Sequence, residues 1–561
     1  MLSRSILLGL GLTFAACSSS RPPVTSTPPA TVRDAATTRA PLVVTVVIDQ
    51  FAAWVAAERV PLLPATGGFA RLRREGTWFR QLRYQHATTD TAPGHSSLYA
   101  GQSPRESGIL ANEIPDARGA RISILRDEHA RAVTFDGPTD AVSSSIAILR
   151  VPTLADQVRE SVPGAVIVSV SLKDRGAIFG GGRHPDAVIW YDPGRDAFVT
   201  STAFANALPP WAREHGSTDA LRPLRTSPWT LTDESWVRAH AATPDDQPGE
   251  ADLDGWGTTF PHDFTRARRP AGAMRASPLG DAAVLSLAGD AVEHARDPHK
   301  PMLLAVSLSS SDYIGHLYGP DAWEAWDQLY RLDASLGRFF TRLDALVGAD
   351  GWSLVLAADH GITPLPEVQT IPTARPWCTR DAGADPWERP CGALGRLDPD
   401  AVGRELQEAA VAAIGPGAWV RALVDPYVYL TPEATALSPE RSRALIDALK
   451  ARARQHPEVE RIVDTVTVPE RCPEGESVEA LLCRSIPRDS GAVMYLQLRA
   501  GAFFDAGYVL GRGTSHGSPY LLDRAVPMFV RAPGVAEAGR AVDEPVPFTR
   551  YRETAARLLG L

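Results

Sequence analysis

The sequence predicts an α/β fold: a doubly wound, mostly parallel sheet with helices on both faces and loop-rich cap insertions. Three observations lead there. First, four continuous apolar runs rich in β-branched residues, at 42–48, 165–170, 302–308 and 353–358, have the pattern of strands buried on both faces. Second, segments with helical periodicity lie between them, such as 277–295 and 322–346. Third, each run ends in residues that carry chemistry: Asp49, then Lys173-Asp174-Arg175, then Asp312 and His316, then Asp359-His360. In open α/β sheets such strand ends meet along one edge, where sites form. A chain of 561 residues and 60.3 kDa is large enough for one big domain over 41–561 with insertions. A net charge of −9 and a pI near 5.9 give no sign of a nucleic-acid partner.

From the N-terminus, residues 1–17 read as an export signal. Arg4 supplies the positive start, Ile6 to Phe14 the apolar run, and Ala15-Ala16-Cys17 the small-residue end. The run is too short to span a bilayer. Phe14-Ala15-Ala16-Cys17 resembles a bacterial lipobox, which implies a lipid on Cys17; ordinary secretion with cleavage near Ala16 is the alternative. Residues 18–40, rich in Ser, Thr, Pro and Ala, read as a disordered tether. The protein is expected in the periplasm or anchored as a lipoprotein.

After the first strand comes Asp90-Thr91-Ala92-Pro93-Gly94-His95, which reads as the start of a helix running to Gly101. A helix start presents free N–H groups and the positive end of a dipole, a seat for phosphate and for a hydroxyl that must become an alkoxide. Thr91 occupies that place, though a Thr before Pro also serves simply as an N-cap. Residues 180–275 carry Trp190, Trp211, Trp229, Trp236 and Trp256 among many Pro and Asp; they read as an insertion capping the sheet, shaping an entrance or forming a satellite core. Residues 365–500 read as a second insertion. It holds Cys378, Cys391, Cys472 and Cys483, two pairs close in sequence, which suggest two local disulfides; a four-Cys zinc site is disfavoured because no Cys-x-x-Cys occurs. Gly513-Thr514-Ser515-His516-Gly517 is a glycine-rich loop holding one His. The run 525–530 then reads as an edge strand, since Pro527 cannot donate to a ladder.

Asp49, Thr91, Asp312, His316, Asp359, His360 and His516 together offer enough N and O donors for two adjacent zinc ions. Two ions roughly 4 Å apart clamp the attacking and leaving oxygens of an in-line phosphoryl transfer. Lysine is nearly absent from the chain, occurring only as Lys173, Lys300 and Lys450, so Lys173 at a strand end draws attention.

These motifs resemble the alkaline phosphatase superfamily of two-zinc phosphohydrolases, from about Pro41 to the C-terminus. The resemblance rests on Val-Ile-Asp49, Thr91-Ala-Pro-Gly-His95, Asn112, Asp312-Tyr-Ile-Gly-His316, Ala-Asp359-His360-Gly and Thr-Ser-His516-Gly. Within it the chain is most similar to the phosphate-irrepressible alkaline phosphatases, which use Thr as nucleophile and a Lys-x-Arg pair, here Lys173 and Arg175. The resemblance implies that Asp49, Asp359 and His360 hold the zinc that activates Thr91. It implies that Asp312, His316 and His516 hold the zinc at the leaving group, and that Asn112, Lys173 and Arg175 contact the phosphoryl oxygens. The implied substrates are small phosphate monoesters, with no protein partner. No Cys-x-Pro-x-Arg motif of the sulfatases occurs and no magnesium site is assignable; His95 is expected to make a structural hydrogen bond. Two other readings stand beside this one: a nucleotide pyrophosphatase/phosphodiesterase on the same scaffold, and a surface-anchored, non-catalytic binding protein.

Overall fold

The computed structural model describes residues 41–371, 375–378, 385–392 and 395–561. The export signal, Cys17 and the tether lie outside the described residues. The four apolar runs are four adjacent strands: Trp352–Ala357, Leu42–Ile48, Met302–Leu308 and Val166–Ser171, all parallel, with every residue but Val166 buried. Alternate side chains on such strands point to opposite faces, so both faces must be covered. On one face Thr45 Oγ1 meets Tyr99 of the Thr91–Ala100 helix at 3.3 Å, and the Tyr99 ring packs on Tyr551 of the C-terminal helix at 5.9 Å. On the other, Phe340 of the Trp323–Val347 helix stacks on Trp352 at 5.3 Å. The Pro278–His294 helix packs beside it, held by Arg342 Nη2 donating to Asp290 Oδ1 at 2.9 Å.

Three features differ from the sequence reading. Ala525–Arg531 is not an edge strand: it lies between Trp352–Ala357 and Thr77–Arg83, antiparallel to both. Its register shifts between Val526 and Met528, so the residue lacking an N–H sits at a bulge. Ala187–Asp192 and Ala197–Ser201, placed in the first insertion, extend the main sheet beyond Val166–Ser171. The hairpin of Arg126–Thr134 and Gly137–Ser144 carries the sheet further; its half-exposed, polar sequence lacks a strand signature.

After Ser201 the chain leaves the sheet. Trp229, Trp256 and Phe264 form a small core with Tyr313, Ile314, Leu317 and Tyr318 of the Ser310–Tyr318 helix. These tryptophans therefore buttress a helix from behind. The stretch 395–498 builds a second core on an antiparallel sheet, in the order Val420–Val424, Tyr427–Leu430, Ala492–Leu498, Val459–Asp464. The Pro399–Ile414 and Pro439–Ala453 helices pack on it through Leu406, Leu445 and Leu449. Cys378–Cys391 and Cys472–Cys483 are disulfides, as the sequence pairs suggest.

Candidate active site

Each central strand delivers its side chain at the same edge. Asp49 follows Leu42–Ile48 directly, and Asp359 and His360 follow Trp352–Ala357. Asp312 and His316 lie four apart on the Ser310–Tyr318 helix, hence on one face of it. Lys173 follows Val166–Ser171 and starts the Asp174–Gly181 helix. Thr91 is the first residue of the Thr91–Ala100 helix; Asp90 holds the cap position and accepts from Thr91 N at 3.0 Å. Thr91 is thus freed from capping, and its hydroxyl lies 3.4 Å from His360 Nε2. His516 comes from the loop after Gly513 and lies against His360, ring centroids 3.7 Å apart.

The donor atoms fall into groups, each within 4.8 Å: Asp49, Asp359 and His360; Asp312, His316 and His516; and Asp90 with His360 and His516. The tautomers follow from the partners. His360 Nδ1 meets Gly361 O at 2.9 Å, His316 Nδ1 meets Thr514 O at 2.8 Å, and His516 Nδ1 meets Thr89 O at 2.9 Å. A carbonyl only accepts, so each Nδ1 donates, and each Nε2 faces inward as the nitrogen a metal would take. This outer shell is the one expected behind metal-bound imidazoles. The inward nitrogens meet carboxylates: His360 Nε2 lies 3.3 Å from Asp49 Oδ1, and His316 Nε2 lies 3.2 Å from Asp312 Oδ1. Both oxygens of Asp49 and Oδ2 of Asp359 are buried and accept no well-aligned hydrogen bond among the described residues, although Lys173 Nζ stands 2.7 Å from Asp49 Oδ2 and His95 Nδ1 3.0 Å from Asp359 Oδ2. Carboxylate oxygens and imidazole nitrogens gathered at one place favour positive charge between them, so this donor set fits a divalent metal of mixed N/O preference.

Among the described residues Lys173 is the one Lys or Arg that pairs with these carboxylates within 4.0 Å. Its ammonium lies 2.7 Å from Asp49 Oδ2, 2.6 Å from Asp312 Oδ2 and 3.3 Å from Thr91 Oγ1. Burial opposes its charge, but Asp312 and Asp49 outweigh burial and raise its pKa well above the usual lysine value. Burial and Asp312 likewise oppose ionisation of Asp49, while Lys173 and His360 hold its carboxyl well below the usual range. Burial lowers the His360 pKa, yet Asp359 and Asp49 push it up to about 10.

Arg175 lines the cleft with its Nε buried and unpartnered, and the nearest carboxylate, that of Asp174, stands 3.7 Å away. Asn112 Oδ1 accepts from Ala92 N at 2.8 Å, and its amide nitrogen donates to Asp90. It therefore sits at the helix start beside Thr91. His95 is fully paired: Nδ1 lies 3.0 Å from Thr91 O and Nε2 lies 2.9 Å from Ser307 Oγ. These contacts agree with the structural hydrogen bond expected of it.

Gln50 has no signal in the sequence. Its backbone adopts a left-handed φ of 67°, its N–H donates to Asp359 Oδ1 at 3.1 Å and its amide to Asp312 Oδ1 at 2.8 Å. One residue thereby braces a carboxylate of each donor group, at a conformational cost of the kind that gathers at functional sites. The cleft above has a volume of about 250 Å³; Arg121, Asp425, Gln497 and Tyr508 also line it. No residue of 202–275 does so, so the entrance is shaped by the 111–123 segment, the second insertion and the 502–519 stretch that follows it, not by the first insertion.

A mostly parallel sheet with paired carboxylate–imidazole groups at one edge, flanking a hydroxyl at a helix start, defines a protein of the alkaline phosphatase superfamily. Residues 43–477 match the family described as type I phosphodiesterase/nucleotide pyrophosphatase, and the chain belongs to that family. The chain is 34% identical over 336 residues to alkaline phosphatase PhoV of Synechococcus elongatus, spanning 58% of this chain but only 60% of that relative's length. It is 29% identical over 508 residues to alkaline phosphatase PhoK of Sphingomonas sp, covering 88% of this chain and 84% of the relative. The crystal structure of wild-type alkaline phosphatase PafA superposes with a TM-score of 0.80 at 23% identity, over 94% of this chain and 97% of that one, and it shares the fold.

Proposed function

We propose that this chain is a phosphohydrolase that uses two zinc ions to hydrolyse phosphate monoesters through a phosphothreonine at Thr91. The observation that carries the reading is the convergence on Thr91 of two separate carboxylate–imidazole groups with Lys173 and Arg175. Bound zinc would supply Lewis acidity at the attacking and leaving oxygens. Asp49, Asp359 and His360 would hold the ion beside Thr91, and Asp312, His316 and His516 the other. The Thr91 oxygen attacks phosphorus as its proton passes to solvent; the bond from phosphorus to the ester oxygen breaks, and that oxygen takes up a proton from water to depart as the alcohol. Water then attacks the phosphothreonine from the vacated side, restoring the hydroxyl and releasing inorganic phosphate. The helix N-terminus, Arg175, Lys173 and the amide of Asn112 orient the phosphoryl group and offset its charge. The relatives named alkaline phosphatase support this reading.

The family's description favours a second reading, a nucleotide pyrophosphatase/phosphodiesterase. A diester carries one charge and a second organic group, so two cations beyond the metals suit it less well. Turnover of an aryl phosphate monoester against the matching diester, with metal analysis of the same sample, decides between them. Two zinc per chain, preference for the monoester, and a trapped phosphoprotein absent from Thr91→Ala are expected; preference for the diester moves the assignment. A chain that binds phosphate esters without turnover is the non-catalytic reading.

Export fits this activity. Among the described residues no helix is long and apolar enough to cross a membrane. Membrane attachment would rest on lipid at Cys17, which a mass spectrum of the mature N-terminus shows or removes.

A further inference from the structure

The rim of the cleft carries a large aromatic side chain that the proposed chemistry leaves unused. Tyr508 is 40% exposed, and among the described residues it is the one exposed large apolar side chain that lines the cleft. Its ring stands against that of His316, centroids 5.4 Å apart and tilted by 47°, and meets Tyr313 edge-on at 6.3 Å. Both spacings are ordinary aromatic contact distances. Tyr313 is buried, and the Lys173 ammonium lies 5.1 Å from the centre of its ring. The exposed ring thus borders the donor group of Asp312, His316 and His516. Tyr495, Phe503 and Phe504 also line the cleft but are almost wholly buried, and Arg121, Asp425 and Gln497 are polar.

The loop that carries Tyr508 holds it still. Asp505, buried just after Phe503–Phe504, accepts from Gly507 N at 2.8 Å through Oδ1 and from Gly511 N at 2.7 Å through Oδ2. One carboxylate therefore ties the chain on both sides of Tyr508. Gly507 and Gly511 have φ of 73° and 77°, a left-handed backbone that glycine takes without strain. Arg512 N donates to Val509 O at 3.0 Å, and Gly513 N to Gly249 O at 2.8 Å. Val509 packs on the small core of Trp229, Trp256 and Phe264. A side chain left in solvent needs no such bracing, whereas an aromatic face fixed in advance loses little freedom when a ligand covers it.

We propose that Tyr508 is a leaving-group platform, selecting phosphate monoesters whose ester oxygen carries an aromatic ring. The proposal rests on the reading of the site as a phosphomonoesterase. In that reading the group of Asp312, His316 and His516 serves the leaving oxygen, so the organic part of the ester departs on the His316 side. There it meets the Tyr508 ring. A phenolic group stacks offset or edge-on against such a ring; a short alkyl group has no π-face and covers less area.

The test uses the full, zinc-loaded chain. Phenylphosphonate and methylphosphonate resemble the two ester classes and cannot be hydrolysed. At alkaline pH, where both are dianions, calorimetry should find phenylphosphonate bound about 3- to 10-fold more tightly, the range one aromatic contact supplies. Tyr508→Ala should remove most of that difference and Tyr508→Phe should keep it, both with wild-type zinc content and Tm. In turnover, Tyr508→Ala should lower kcat/KM for phenyl phosphate by about the same factor and for methyl phosphate much less. Each substrate is compared with itself across variants, so the intrinsic reactivity of its leaving group cancels. The platform is overturned by a wild type that binds the two phosphonates alike, by equal losses on both in Tyr508→Ala, or by a Tyr508→Phe that loses as much as Tyr508→Ala. Any of these, in a chain that turns over phosphate monoesters, leaves the monoesterase reading standing. A chain that neither hydrolyses a monoester nor binds a phosphonate removes both.

Discussion

At the scale of single residues, Lys173 and Arg175 are not equivalent, although the sequence presents them as a pair. Lys173 touches Asp49 and Asp312, so removing it disturbs the metal donors as well as the phosphate seat. Arg175 touches neither and faces the cleft with a planar fork suited to two oxygens. Arg175→Ala is expected to lower monoester kcat/KM by about 10- to 100-fold, a charge-assisted contact being worth roughly 1.5–3 kcal/mol, with zinc content unchanged. Diester turnover should fall much less; equal losses on the two substrates would remove Arg175 from monoester selection. Gly94 allows a second prediction. A Cβ there would stand 2.3 Å from Asp359 O, where the Thr91 helix crosses the backbone of a metal donor. Gly94→Ala should push Thr91 from its place and cut kcat by well over tenfold, since small displacements of reacting groups are costly. A variant with wild-type kcat would mean that this close approach does not position Thr91. The sequence shows Asp49, Asp312, His316, Asp359 and His360 because strands buried on both faces leave continuous apolar runs, and the residue ending such a run stands out. Gln50 escapes that reading because its role comes from a left-handed φ and from distant partners.

At the scale of elements, sequence pattern succeeds where burial is uniform and fails where it is mixed. Leu42–Ile48 and Met302–Leu308 appear with their observed bounds because every residue is inside. Ala525–Arg531 is equally buried, but its Pro527 points to an edge, and the bulge that relieves it leaves no mark in the sequence. Contacts between elements are likewise hidden, and Asp333 is one that can be tested. From the Trp323–Val347 helix it caps another element, Oδ1 accepting from Phe69 N at 2.7 Å at the start of the Gly68–Glu75 helix. Burial raises its pKa from 3.8 to about 6, against the lowering effect of the Phe69 and Gly68 N–H groups. The folded state therefore keeps this proton to higher pH than the unfolded chain does. The corresponding stability is complete below the unfolded value and is lost as pH rises through about 6. Asp333→Asn keeps an oxygen for the N–H groups and cannot ionise. Denaturant melts should show the variant gaining on the wild type between pH 4 and pH 6–7, with a constant difference above. A difference that does not change with pH would mean that Asp333 titrates normally in the folded protein.

At the scale of the whole molecule, the proposed metal donors run from residue 49 to residue 516 and come from three strand ends and a late loop. Folding must close nearly the whole chain before either donor group exists, so zinc should bind the native state and hardly the unfolded one. Ligands of that kind stabilise by mass action, about 4 kcal/mol at a thousandfold excess over Kd. Chelation is therefore expected to abolish turnover and also to lower Tm, with both restored by zinc. The buried carboxylates of each donor group would then face one another with Lys173 and a protonated His360, among the described residues, offsetting their charge. The two groups should also be separable. Asp359→Asn removes a donor from the group beside Thr91, and His516→Ala one from the other. Each variant should retain close to one zinc per chain, and the double variant close to none. Far-UV circular dichroism should stay native in all three, because the sheet core beneath them contains none of these residues. Wild-type protein without zinc, its turnover and Tm indifferent to chelator, would refute the metal assignment. Two zinc ions retained in Asp359→Asn or in His516→Ala would leave the assignment standing but show that residue to be dispensable for binding.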